Sequence, residues 1–134
     1  MSGVEGLILD PLLSLAGKAG KELIELIQKL RNAPKELQEL SEEVERLKIV
    51  VQCIPSDEDV GDETFQALVD AVKHVKEKMT KIDEFVSYKL TKPHDDTAVR
   101  RFAWVRKEGE VKEMVLDLRR CIERLNTHVS AASL

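Results

Sequence analysis

Aromatic side chains make up only 4% of this 134-residue chain: one Trp, one Tyr and three Phe. An all-β sandwich or barrel builds its core from aromatic and β-branched residues and needs frequent turns. Six glycines and four prolines provide too little punctuation for that class. Cysteine is scarcer still. Cys53 and Cys121 stand far apart without CxxC spacing, which excludes a disulfide framework and a zinc signature. Both lie among apolar residues and read as buried free thiols. No apolar run reaches the roughly 20 residues that a spanning helix needs. A signal peptide is not expected, because Glu5 stands where a positive region belongs and Asp10-Pro11 interrupts the apolar stretch. Ser2 replaces the glycine that N-myristoylation requires. A reducing cytoplasm is the expected compartment.

What is present is Leu, Glu, Lys and Val, with 43% hydrophobic and 34% charged residues. That composition suits a single domain of long helices. The 21 basic and 25 acidic residues give a net charge of −4, so a general nucleic-acid binder is not expected. The halves differ: residues 1–62 carry 7 basic and 13 acidic residues, and residues 63–134 carry 14 and 12.

Four helical segments follow from the three- and four-residue spacing of apolar positions. The first covers about 4–30, with Asp10-Pro11 read as an N-cap and first helical position and Leu7, Ile8 and Leu9 as a short piece before it. The second covers about 33–53, on the seam Leu37, Leu40, Val44, Leu47, Val51 and Ile54. The third covers about 63–90, capped by Asp62 or Thr64, on the seam Phe65, Leu68, Val72, Val75, Met79, Ile82 and Val86. After a loop from Thr91 to Asp96, the fourth covers about 96–129. Its stripe starts with Val99, Phe102 and Val105 and resumes at Val111, with Gly109 marking a bend or phase change. The expected fold is all-α, a four-helix bundle of long antiparallel helices with an apolar N-terminal segment, as one domain over 1–134. The acidic second and basic third helices are expected to be antiparallel neighbours.

Chemistry is sparse. His74, His94 and His128 belong to no metal-binding pair, no phosphate-cradling glycine loop occurs, and no nucleophile motif surrounds a Ser or Cys. No catalytic, cofactor or metal site is expected. Three features remain. The run Leu7 to Ala16 is nearly uniformly apolar, so Leu7, Ile8, Leu9, Leu12 and Leu13 either pack in the core or insert into a membrane. Lys73, Lys76, Lys81, Arg100, Arg101, Arg106 and Lys107 form either a solvated face or a binding face for anionic lipid. The regular second and third helices serve either the bundle itself or self-association.

The stretch Leu30-Arg31-Asn32-Ala33-Pro34-Lys35-Glu36-Leu37-Gln38-Glu39-Leu40 through Leu47 resembles the second helix of fungal N-terminal domains attached to STAND and NOD-like receptors. These are the SesA, NACHT-N and HeLo-like group. Phe102-Ala103-Trp104-Val105 through Leu125-Asn126 is similar to their last helix. The resemblance implies a role in programmed cell death and non-self recognition. It implies an apolar first helix, here 3–17, that targets or permeabilises membranes after oligomerisation. It further implies a NACHT or NB-ARC NTPase, or an amyloid motif, as partner, and relocation from the cytoplasm to the plasma membrane on activation. A soluble adaptor that signals by helix contact alone is the alternative.

Overall fold

The computed structural model describes residues 2–30, 33–54, 61–92, 95–99 and 101–132, with side chains described from residue 11 onward except at 92, 95–98, 101 and 102. Four long helices account for most of these residues: α1 (Ser2–Gln28), α2 (Lys35–Gln52), α3 (Asp62–Phe85) and α4 (Arg101–Ala132). A π-helical turn at Val86–Leu90 and an antiparallel pair, β1 (Thr91–Lys92) and β2 (Asp95–Val99), link α3 to α4. The expected all-α four-helix bundle is what the chain forms, with this short hairpin added.

The seams expected for α2 and α3 supply much of the core. Leu37, Leu40, Val44 and Leu47 on α2 are buried, as are Phe65, Leu68, Val72, Val75, Met79, Ile82 and Val86 along α3 and its π turn. At the end of α2 the buried residue is Val50, with Val51 and Ile54 half-buried against the core. Leu23, Ile24, Leu26 and Ile27 of α1 complete one side, and Val111, Val115, Leu118, Ile122, Leu125 and Val129 of α4 the other.

Helix neighbours depart from expectation. α1 packs on α2 and α3, and α4 packs on the same two, so α2 and α3 lie across a diagonal. Their opposite charge therefore does not pair them. Glu43 and Arg46 of α2 meet Arg119 and Glu123 of α4 in the same order, so these neighbours run parallel. In the same way Gly20 of α1 lies by Met79 of α3, and Glu22 faces Asp83, so α1 and α3 are parallel too. Consecutive helices are antiparallel, as expected.

Several boundaries also move. α1 runs unbroken from Ser2 with Pro11 inside it, so Asp10-Pro11 is not a start. Proline lacks an N–H, and the carbonyl four residues earlier loses its helical partner there. Gly61, not Asp62 or Thr64, occupies the N-cap of α3, and its carbonyl accepts from Phe65 N–H at 2.8 Å. Thr97 to Val99 form a strand, not the first turn of α4, consistent with alternate β-branched residues beside a short turn. Thr91 Oγ1 donates to the Ser87 carbonyl at 2.8 Å and ties the hairpin to the π turn. α4 is continuous through Gly109, and its seam enters through Ala103 while Val105 is 69% exposed. The thiols differ from the buried reading as well: Cys53 is exposed and Cys121 half-buried.

Candidate functional site

Length differences between helices shape the surface. At 1.5 Å per residue the 18 residues of α2 extend about 27 Å, against about 40 Å for the 27 residues of α1. Gly20 stands against Val44, and the boundary cleft runs from Leu13 and Ala16 to Val51 and Gln52, so α2 ends near the level of Leu13. Residues 2–11 of α1 therefore extend roughly 15 Å past that end. The cleft itself is apolar, about 230 Å³ in volume, and Gly17 lines it. Gly20 closes its floor, because a Cβ there would fall 3.1 Å from Val44 Cγ1.

Of the membrane-insertion candidates, Leu12 and Leu13 are half-buried and packed against the core. The side chains of Leu7, Ile8 and Leu9 lie outside the described residues. Leu15, on the same helix, is 50% exposed. No helix among the described residues is long and apolar enough to cross a membrane.

The basic candidates separate into two groups. With α1 and α3 parallel and Gly20 level with Met79, Lys73 and Lys76 fall beside residues 14–17 of α1. Lys73 is exposed and Lys76 half-buried. Arg106 and Lys107 belong to the hairpin end, about 18–24 Å away along the axis, judged from the Lys78–Asp117 pair. Lys107 is engaged by Glu110 at 3.4 Å. Lys81 is exposed between the groups. Arg100 and the side chain of Arg101 lie outside the described residues. The outer face of α3 also carries exposed acids at seven-residue intervals, Glu63, Asp70, Glu77 and Glu84, which divide the lysines.

One polar network was not expected. Glu43 is 9% exposed, and its Oε1 accepts from Arg119 Nε at 2.7 Å. Arg46 stands 3.9 Å from the other carboxylate oxygen and 3.8 Å from Glu123. The Glu43 hydrogen bond makes the Arg119 guanidinium more basic than usual. By sequence Glu43 belongs with the other glutamates on the outer face of α2, but it stands beside the seam residue Val44, three residues after Leu40 and four before Leu47, which turns it toward α4. Between α1 and α3, burial and the facing Glu22 raise the Asp83 carboxyl above its ordinary range, opposed by a Ser87 hydrogen bond and by Lys29.

Among the described residues no group of three or more His, Cys, Asp or Glu side chains gathers to hold a metal ion. His74 is exposed and His128 half-buried, and His94 lies outside the described residues. The chain matches no protein-family profile, no curated protein and no solved structure.

Proposed function

We propose that the chain is a cell-death effector domain of the HeLo-like kind, which oligomerises and engages anionic membranes through the first third of α1. The observation that carries this reading is the position of that segment. From Gly6 to Gly17 the only charge on α1 is Asp10, residues 2–11 pass the end of α2, and Lys73 and Lys76 stand level with the last residues of the apolar stretch, 14–17. Burying leucine side chains in lipid contributes roughly 1.5–3 kcal/mol each, and a nearby lysine adds about 1 kcal/mol toward anionic headgroups. The segment is roughly 20 Å long, short of the ~30 Å hydrocarbon core, so it engages one leaflet per copy and needs several copies to breach the bilayer. Oligomerisation multiplies a weak contact into a stable one.

Dye release from anionic liposomes tests this. Wild type is expected to leak dye and a Leu9→Glu variant to lose most of that activity. Equal behaviour of the two, or no leakage from either, overturns the proposal. A second reading, a soluble adaptor of a receptor carrying a NACHT or NB-ARC unit, is supported by the packing of Leu12 and Leu13 against the core. It expects no leakage from wild type and a first helix that stays packed in the presence of lipid.

A further inference from the structure

α4 carries a second strip besides its core seam. Val105, Gly109, Lys112 and Leu116 follow one another at steps of four, three and four, which places them within about 60° of one another on the helix. All four are exposed, Val105 to 69% and Leu116 to 43%. The start of α2 lies level with Lys112, because Lys35 and Glu36 share a cleft with it, so α2 does not run beside Val105 and Gly109. Glycine in a helix interior costs about 1 kcal/mol relative to alanine. A Cβ at Gly109 would meet nothing within 4 Å, so no close contact within the described residues requires the glycine. Close approach of a second helix would.

We propose that this strip is a two-fold dimer interface, formed by the α4 helices of two copies packed antiparallel and crossing near residues 110 and 111. In that register Val105 of each copy meets Leu116 of the other, and Gly109 leaves room for the opposing Lys112. Arg106 and Glu113 are both exposed and lie along one edge of the strip. Antiparallel pairing brings that edge against its own copy, so each Arg106 faces a Glu113, twice by symmetry. A second copy of this chain thus matches the strip at its two apolar steps and along its Arg106–Glu113 edge, while each Lys112 keeps its ion pair with Glu108 of its own helix at 3.4 Å. The interface lies at the opposite end of the bundle from the first third of α1, and it does not depend on the lipid reading.

Sedimentation velocity of the full chain over a concentration series, without lipid, tests the interface. Wild type is expected to shift from monomer to dimer as concentration rises. Arg106→Glu sets like charges together, as does Glu113→Arg, and each is expected to weaken the dimer about tenfold or more. The double variant Arg106→Glu/Glu113→Arg restores the pairs and is expected to dimerise as wild type does. Gly109→Gln fills the crossing point and is expected to remain monomeric. These positions are exposed, so circular dichroism should report unchanged helix content in every variant. The proposal is overturned by a wild type that stays monomeric throughout, by single variants or Gly109→Gln that dimerise as wild type does, or by a double variant that fails to recover.

Discussion

Glu43 shows how a single residue fastens two helices. It is the only buried charged residue among those described, and its strongest partner lies on α4 rather than on its own helix. Truncating it removes a charge-assisted hydrogen bond and leaves the Arg119 guanidinium without its main partner. Glu43→Ala is therefore expected to cost about 1–3 kcal/mol in a urea unfolding series. Glu43→Met keeps the volume and removes the buried charge, so it is expected to cost less than the alanine variant, since well-packed apolar replacements of buried ion pairs are often neutral. A Met variant no more stable than the Ala variant would show that the hydrogen bond, not the filled space, dominates at this site.

At the scale of elements, α1 contains two glycines in opposite surroundings. Gly17 has nothing within 4 Å of where a Cβ would stand, whereas at Gly20 the Val44 methyl lies 3.1 Å away. Gly17→Ala is expected to stabilise the bundle by about 0.5–1 kcal/mol through helix propensity. The same change at Gly20 is expected to lose that gain to crowding against Val44, and thermal unfolding of the two variants side by side checks the difference. Elements were also where the sequence was most legible. Leu37 through Leu47 and Phe65 through Val86 declared their buried faces because three-four spacing over several turns admits one orientation. Short or ambiguous pieces did not. Pro11 looked like a helix start because proline is favoured at a first turn, yet the helix continues through it. Thr97 to Val99 were read as helix because a two-strand hairpin leaves only a few residues of pattern. Val105 was placed on the core stripe, although the structure gives that phase to Ala103.

For the whole molecule, the diagonal placement of α2 and α3 was not legible at all. The acidic and basic outer faces of these helices are solvated, and such faces do not determine which helices touch. The chain is instead two helical hairpins, α1 with α2 and α3 with α4, joined face to face through parallel contacts. Asp83 lies in the α1–α3 joint, facing Glu22 and Lys29 on α1 and adjoining Glu84 and Ser87 on its own side. Its pKa is raised in the folded chain, so the folded state holds the proton more tightly than the unfolded one. The charged carboxylate weakens the fold at neutral pH, and stability recovers as pH falls through the raised value toward the ordinary carboxylate range. Asp83→Asn is expected to raise the unfolding midpoint at pH 7 and to flatten that part of the pH–stability profile. A variant less stable than wild type at pH 7 would contradict this account.

The two joints between the hairpins are fastened unequally. Glu43 with Arg119 and Arg46 with Glu123 act as clasps where α2 meets α4, whereas where α1 meets α3 the half-buried Asp83 faces both Glu22, which repels it, and Lys29, which attracts it. Mechanically the two hairpins are held by polar clasps along one edge and by broad apolar packing along the other. Acid therefore acts on the two seams in different ways: where α1 meets α3, proton uptake by Asp83 removes a like-charge contact and draws the hairpins together.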